Sequence, residues 1–334
     1  MNPADWYYLT GFTGEAGALI ISRAGSTLVT DGRFTVQAKE ETSGIRVVKQ
    51  EVSLMASVSK WLHDHVRGKI GFDASQITVE QFRTLRRGAG PHVRLAAAGG
   101  EIGSLRQRKE PGEIAQMRKG AVLAGDVVGA ALKLLKPGVR EIEVAAEIEY
   151  QMRSRGASGP AFETIVAFGA RSAHPHARPT EKRLAKNELV VLDLGAILAH
   201  YCSDITRTVF VGRAPTRIRR WYRAVQEAQA AAVAAAQAGV TCGEVDAAAR
   251  GVLTRYRLDR YFVHSTGHGL GLEVHENPRV ARGQKYVLVP GNVITIEPGV
   301  YVPGLGGIRI EDDVAVHAGR TEVLTRVPRD LIEI

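Results

Sequence analysis

Residues 188–212 read ELVVLDLGAILAHYCSDITRTVFVG. Both halves of this stretch are rich in Val, Leu, Ile and Thr, which favours strands, and each half contains one acid, Asp193 or Asp204. The alternation of side chains along a strand places Val191, Asp193 and Gly195 on one face. A carboxylate inside such an apolar run is unfavourable unless its charge is neutralised. The stretch therefore predicts a strand scaffold that presents acids to a site of fixed geometry.

Three more residues with metal-binding side chains stand in short, distinct contexts: His268 in STGHGLG, Glu297 in TIEPG and Glu311 in RIEDD. With Asp193 and Asp204 they make four carboxylates and one imidazole. Two unit charges about 4 Å apart repel by roughly 4 kcal/mol at an effective dielectric of 20, so clustered carboxylates need protons or cations. Two divalent cations would neutralise all four acids and could activate a shared water as a nucleophile. Manganese, cobalt, iron and zinc all suit this donor set, and the sequence does not choose among them.

Each acid also has a purely structural alternative, because a strand Asp can cap a loop and a Glu can pair with an arginine. Glu311 is the clearest case, since an arginine lies two residues before it on the same strand face. Thr206 shares a face with Asp204 and is expected to hydrogen-bond that carboxylate. Asp312 and Asp313 are interpreted as non-ligands, because the first points to the opposite face and the second is displaced along the strand.

Three histidines stand in the stretch VHSTGHGLGLEVHE, at positions 264, 268 and 275. The glycines at 267 and 269 disfavour a helix there and allow backbone or substrate to approach closely. His268 is the predicted ligand, and His264 and His275 are expected near the site as hydrogen-bond donors.

Composition restricts the class of protein. The chain has 334 residues, a formal net charge of +9 and two cysteines, Cys202 and Cys242. No apolar run reaches the roughly 18 residues of a membrane span, and no secretory signal is visible at the N-terminus. The two isolated cysteines favour a cytoplasmic protein without disulfides. The densest basic cluster, residues 213–223, is interpreted as a solvated helix start, so neither a nucleic acid nor a membrane is an expected partner.

The chain predicts two domains, residues 1–104 and 105–334, of mixed α/β character. The first combines short strands with helices opened by Ser53 and Thr78. The second contains long helices and many short strands. The Gly-rich and then charged stretch 96–113, AAAGGEIGSLRQRKEPGE, is the predicted linker.

Taken together, the five ligand motifs resemble metallopeptidase family M24, from about Lys109 to the C-terminus. The segment YYLTGFTGEAGALII, with TDGRFTVQA after it, resembles the creatinase-type N-terminal domain of the Xaa-Pro branch. The resemblance implies a pita-bread catalytic domain preceded by a smaller α/β domain. Relatives usually carry some tens of residues before YLTGF, so the expectation is either that a first strand or helix of the N-terminal domain is missing here or that the start is misassigned.

The resemblance also implies a role for each residue of the site. Asp204 and Glu311 would bridge two metals, His268 and Glu297 would complete one of them, and Asp193 would complete the other. Glu297 would act as general base and then as general acid. The remaining implied residues bind substrate or stabilise the tetrahedral intermediate: His176 and His275 at the oxyanion, His264 and Arg309 at the substrate, and Arg279 at the terminal carboxylate of a dipeptide.

The implied function is that of a cytoplasmic, homodimeric Xaa-Pro dipeptidase (prolidase) that acts on proline-containing dipeptides. The near alternative is an Xaa-Pro aminopeptidase, which acts on longer peptides. Two more distant alternatives are an inactive binding protein with the same fold and a metal-free, creatinase-like hydrolase. Neither of these needs the full ligand set, and all five ligands are present.

Overall fold

The computed structural model describes residues 2–334 and divides into two compact units. One ends at Arg106, and the other spans Gln107–Ile334. The division falls between residues 106 and 107, against the predicted 104 and 105. Within residues 2–334, every helix is too short or too polar to cross a membrane.

The N-terminal unit alternates short strands and helices, as its sequence predicts. Ser53 and Thr78 cap their helices through side-chain oxygens that accept from the backbone N–H groups of Ala56 and Gln81. The helices are α1 (Pro3–Thr10), α2 (Thr35–Glu41), α3 (Leu54–His65), α4 (Val79–Gly88) and α5 (Glu101–Arg106). The strands are β1 (Ala18–Ser22), β2 (Gly25–Thr30), β3 (Ile45–Lys49), β4 (Gly68–Asp73) and β5 (Val93–Ala98).

These strands form two small sheets, ordered β1-β2-β3 and β4-β5. A cavity of about 380 Å³ is lined by residues 18–21 of β1 and 70–73 of β4. Consecutive residues of a strand point to opposite faces, so the cavity lies along the edges of both strands. Helices α3 and α4 contribute apolar side chains to its walls.

The division between the two units falls inside the predicted linker, residues 96–113, but most of that stretch is not a loop. Strand β5 continues to Ala98, and α5 begins at Glu101 after a turn in which Gly100 has a φ of +85°. Arg106 is buried, and its Nη1 donates to Asp5 Oδ1 at 2.7 Å. A tertiary ion pair thus orders a segment whose glycines and charges suggested a loop.

The C-terminal unit contains four long helices, two short 3₁₀ helices and fourteen strands among the described residues. The helices are α6 (Pro111–Leu132), α7 (Glu141–Ser154), α8 (Thr216–Ala235) and α9 (Cys242–Arg255), with 3₁₀ turns at Gly169–Ala173 and Asp259–Tyr261. The strands are β6 (Gly159–Pro160), β7 (Ile165–Phe168), β8 (Leu189–Leu194), β9 (Ala196–Leu198), β10 (Tyr201–Cys202), β11 (Ile205–Phe210), β12 (Gly267–Gly269), β13 (Glu276–Val280), β14 (Val293–Ile296), β15 (Gly299–Val302), β16 (Gly306–Arg309), β17 (Asp312–His317), β18 (Arg320–Val323) and β19 (Ile332–Glu333).

Two sheets of this unit carry the site, and each is covered by helices. In the sheet β19-β11-β8-β7, Val190, Leu192 and Leu194 of β8 belong to the apolar cluster that also contains residues of α6 and α7. In the sheet β13-β12-β14-β17-β18, Ile294 and Ile296 of β14 pack with residues of α8 and α9. Because side chains alternate, the residues between them face away from the helices. This arrangement frees one face of each sheet for polar groups.

An ion pair joins α6 to β18. Arg118 donates to both carboxylate oxygens of Glu322 at 2.7 and 3.0 Å. The Arg118 guanidinium lowers the pKa of Glu322 to about 2, and a hydrogen bond from His317 acts in the same direction, against the effect of burial. A carboxyl group whose pKa is lower in the folded state stabilises the fold above its unfolded pKa, and this contribution is lost as the pH falls through the folded value.

Glu322→Gln is therefore expected to lower the free energy of unfolding by about 1 kcal/mol at pH 7, a value reduced by the partial exposure of the pair. The difference from wild type should shrink as the pH falls from about 4.5 towards 2. Urea midpoints at pH 7, 5 and 3.5 measure it. A difference that stays constant over this range would contradict the ion-pair argument.

Candidate metal centre

The five predicted ligands all line one cavity of about 730 Å³ in the C-terminal unit. Asp193 is in β8, and His268 is the middle residue of β12. Asp204, Glu297 and Glu311 lie just outside strands: Asp204 directly precedes β11, Glu297 directly follows β14, and Glu311 directly precedes β17. All five side chains are thus carried by strands or by residues directly next to strands, which fixes their positions without a mobile loop.

Four of the five side chains converge closely. His268 Nε2 lies 3.7 Å from Asp204 Oδ2 and 3.5 Å from Glu297 Oε1. Asp204, His268 and Glu311 each offer one ligand atom, and these atoms lie within 4.8 Å of one another. Asp193 lies in the same cavity, but its Oδ2 accepts a hydrogen bond from Arg309 Nη2.

One expectation about a neighbouring residue is wrong, and the structural alternative for Glu311 does not hold. The Thr206 hydroxyl donates to Glu311 Oε2 at 2.6 Å rather than to Asp204. Arg309 forms its ion pair with Asp193 rather than with Glu311. Both partners come from other parts of the chain, since Glu311 directly precedes β17 and Asp193 is in β8. Neighbours in space thus replace the neighbours along the strand that the sequence suggested.

Burial and mutual repulsion disfavour the ionised form of the carboxylates in the cavity. Burial, followed by the charges of Glu311 and Asp193, raises the pKa of Asp204 well above its ordinary value. Burial and the charges of Glu297 and Asp193 do the same for the pKa of Glu311. Burial also raises the pKa of Glu297 to about 7, with Asp193 adding to the rise and Arg309 opposing it. Without added positive charge, these groups cannot all be ionised at neutral pH.

Unpaired oxygen atoms point to the same need. Within residues 2–334, no hydrogen-bond donor reaches the buried Oδ1 atoms of Asp193 and Asp204. Buried polar atoms normally have partners. Buried carboxylate oxygens grouped around one imidazole are donors that divalent transition metals accept. The residues present therefore fit a divalent metal centre.

His268 is prepared as a neutral ligand. Burial lowers its pKa to about 4, and the charge of His275 acts in the same direction. Its Nδ1 lies 3.0 Å from the carbonyl oxygen of Gly269. With a proton on Nδ1 donated to that carbonyl, Nε2 carries a lone pair directed toward Asp204 and Glu297.

The glycines beside His268 allow β12 to fit between its neighbours. A Cβ on Gly267 would stand 1.8 Å from the carbonyl oxygen of Thr295, and one on Gly269 would stand 2.3 Å from that of Asn277. Thr295 belongs to β14 and Asn277 to β13. The predicted close approach of backbone at these glycines is confirmed, and it places the imidazole in the cavity.

The residues predicted to contact substrate line the same cavity: His176, His264, His275, Arg279 and Arg309. Burial lowers the pKa of His264 to about 3, with the charge of Arg309 as the next cause. Burial and the charge of His176 lower the pKa of His275. His264 and His275 are thus neutral at pH 7 and can each donate one N–H. Arg279 is exposed on β13.

Tyr301 is a buried residue at the site that sequence reasoning missed. Its hydroxyl accepts from Arg309 Nη1 at 2.5 Å and lies 2.8 Å from His264 Nε2. The hydroxyl therefore holds together two of the predicted substrate-binding side chains. The only hint in the sequence that Tyr301 belongs to the site was its position four residues after the predicted ligand Glu297.

Comparison with known proteins agrees with this geometry. Residues 115–318 match the sequence model of metallopeptidase family M24, and residues 1–108 match that of the creatinase/prolidase N-terminal domain. The chain belongs to metallopeptidase family M24. The predicted fold, a creatinase-type domain followed by an M24 catalytic domain, is confirmed.

Several members of the M24 family are closely similar to this chain. An Xaa-Pro dipeptidase of Pyrococcus furiosus is 47% identical over 231 residues, which cover 69% of this chain and 66% of that protein. The structure of an Xaa-Pro dipeptidase from Bacillus anthracis superposes with a TM-score of 0.96 at 37% identity, covering 100% of this chain and 94% of that one. An X-Pro aminopeptidase from Thermotoga maritima gives a TM-score of 0.91 at 34% identity, covering 99% and 94%. Membership of a metallopeptidase family implies divalent metal ions, which the donor set of the cavity fits.

Proposed function

We propose that this M24 peptidase hydrolyses the peptide bond before proline in Xaa-Pro dipeptides, as a prolidase. The observation that carries the proposal is the cavity in which four carboxylates, one neutral imidazole and further histidine and arginine side chains meet. The similarity to two Xaa-Pro dipeptidases supports the choice of substrate.

In this proposal the metal ligands are Asp193, Asp204, His268, Glu297 and Glu311. When bound, two divalent cations supply the Lewis acidity that activates water and polarises the scissile carbonyl. The short distance between His268 and Glu297 and the two unpaired Oδ1 atoms support this assignment. Manganese is proposed as the resident metal because oxygen donors outnumber nitrogen donors.

The protein's own residues would manage the protons. Glu297 takes a proton from the attacking water as general base, and it returns the proton to the proline nitrogen as the C–N bond breaks. Proton delivery is needed because proline leaves as a secondary amine. His275 and His176 donate to the oxyanion that develops on the carbonyl oxygen. A neutral His275 has an N–H for this purpose.

Substrate binding would use the charges at the rim of the cavity. Arg279 is exposed and is proposed to bind the terminal carboxylate of the dipeptide, while His264 and Arg309 contact the substrate closer to the metals. A tripeptide places its carboxylate one residue farther away and loses this ion pair. Length discrimination therefore follows from the position of one guanidinium.

The test compares Ala-Pro with Ala-Pro-Ala, using metal-stripped protein resupplied with Mn, Co or Zn. We expect no turnover without metal. With metal, kcat/KM for Ala-Pro should be at least about tenfold higher than for Ala-Pro-Ala, which equals about 1.4 kcal/mol of transition-state binding. Arg279→Met should remove most of that preference. A preference for the tripeptide would instead identify an aminopeptidase.

A homodimeric state and a cytoplasmic location complete the proposal. The location is supported by two buried cysteines that form no disulfide, as is usual in reducing compartments. Light scattering of the purified protein and fractionation of the native cells test these two points.

A further inference from the structure

Glu141 is a fully buried carboxylate outside the lining of the metal cavity. It is the first residue of α7, and four groups donate to it. Oε1 accepts from Phe168 N at 2.9 Å, and both carboxylate oxygens accept from Arg171 Nε at 3.1 Å. Oε2 also accepts from the backbone N–H of Thr180 at 2.9 Å and from its hydroxyl at 2.6 Å. Hydrogen bonds of this kind, to an ionised acceptor, are among the stronger ones in proteins.

These donors lie at the two ends of one loop. Phe168 ends β7, and Thr180 lies twelve residues later. Between them, Arg171 Nη2 donates to the carbonyl oxygen of Arg178 at 2.6 Å, which ties the start of the loop to its end. One buried carboxylate thus fastens both ends of residues 169–179.

The middle of this loop forms a wall of the metal cavity. Pro175, His176, Ala177 and Arg178 all line it. The carbonyl oxygen of Pro175 accepts from Arg309 Nη1 at 3.2 Å. The loop therefore connects Glu141 at its base to the catalytic cavity at its tip.

A second contact supports the first part of the loop. The Ser172 hydroxyl donates to the carbonyl oxygen of Gly169 at 2.6 Å and accepts from Gly307 N at 2.8 Å. This contact holds the 3₁₀ turn against β16. The return of the loop toward Thr180 is held by Glu141 and Arg171, so the position of His176 depends in part on them.

We infer that Glu141 is a positioning residue, which acts on catalysis by fixing the loop that presents His176. The inference rests on the proposed function, in which His176 stabilises the oxyanion. Glu141→Gln removes the charge and replaces one acceptor oxygen by an amide NH2, so the donors at one end of the loop lose their acceptor, and such losses destabilise local structure. The loop then samples positions in which His176 is misplaced, and small misplacements of this kind slow catalysis.

The test is a double-mutant cycle between Glu141→Gln and His176→Ala, with Ala-Pro as substrate. We expect Glu141→Gln to lower kcat/KM about tenfold in the wild-type background and less than twofold when His176 is already alanine. Hydrogen exchange should accelerate in residues 169–179 of Glu141→Gln and remain unchanged in β8 and β14. Equal losses in the two backgrounds, or unchanged exchange in the loop, would overturn the inference.

The matched control is Glu322→Gln, which removes an ion pair of the same unit away from the cavity and should leave kcat/KM within about twofold of wild type.

Thr180→Val removes only the hydroxyl bond to Glu141. It should lower kcat/KM about threefold when His176 is present and have little effect when His176 is alanine. If Glu141→Gln does not fold, this variant tests whether the loop attachment positions His176. If wild type fails to hydrolyse Ala-Pro, the proposed function is wrong, while the exchange measurement still decides whether Glu141 orders the loop.

Discussion

Glu297→Gln is expected to lower kcat for Ala-Pro by roughly 1,000-fold, within the range that general acid–base groups contribute. Glutamine keeps the size of the side chain and one oxygen donor, but it cannot accept the proton of water at neutral pH. Glu297 Oε1 lies 3.5 Å from His268 Nε2, so the substitution acts in the centre of the site. Initial rates on Ala-Pro, with metal content measured on the same sample, give the result.

The metal measurement separates the two roles of Glu297. If the variant retains both ions and loses activity, the proton transfer is the missing function. If it loses one ion, ligation explains the loss. His268→Ala should also abolish activity, together with metal binding. Circular dichroism of both variants should match wild type, because neither side chain belongs to an apolar cluster. Turnover near the wild-type rate by either variant would refute the assigned roles.

The strand periodicity of the sequence was sufficient to place Asp193 on the correct face. Val190, Leu192 and Leu194 pack against helices, so Asp193 must face the other way. Glu297 lies one residue beyond β14, whose Ile294 and Ile296 pack against helices, so periodicity brings it only to the end of that strand. The glycines around His268 were informative for a steric reason, since any side chain there would collide with the backbone of Thr295 or Asn277.

Contacts between strands could not be predicted from one sequence. The hydrogen bond from Thr206 to Glu311 and the ion pair of Arg309 with Asp193 both join segments about a hundred residues apart. Each depends on how two sheets meet, which side-chain alternation along a strand does not specify. The role of Glu141 was also missed, because its partners are distant in the sequence. A glutamate at the start of a helix is usually explained by the helix dipole alone.

The stretch 96–113 does contain the division between the two units, but it is more ordered than its composition suggests. Glycines and charges at 96–113 are typical of a loop, but the buried pair of Arg106 with Asp5 stabilises helix α5. Local composition describes what a segment prefers when it is isolated. A partner about a hundred residues away in the chain changed that preference.

Arg207→Met is expected to lower the free energy of unfolding by about 3 kcal/mol or more, which is the usual cost of removing one partner of a buried ion pair. Arg207 is 1% exposed and lies on β11. It donates five hydrogen bonds, to Asp312 Oδ1 at 2.8 Å and to the carbonyl oxygens of Thr206 (2.9 Å), Glu311 (2.6 Å), Val327 (2.7 Å) and Pro328 (2.9 Å). Methionine fills much of the same volume but supplies none of these five hydrogen bonds.

The control for this prediction is Arg219→Met. Arg219 donates to both oxygens of Glu333 at 2.6 and 2.7 Å, and its side chain is 47% exposed. An exposed pair contributes about 0–1 kcal/mol, so this variant should remain close to wild type. Urea unfolding followed by both circular dichroism and fluorescence measures the two losses and checks that the transitions coincide. Equal losses would contradict the argument, because burial is the property that the comparison varies. A large loss confined to Arg207→Met would show that its buried hydrogen bonds stabilise the fold by joining β11 to the backbone of Val327 and of Glu311, one of the proposed metal ligands.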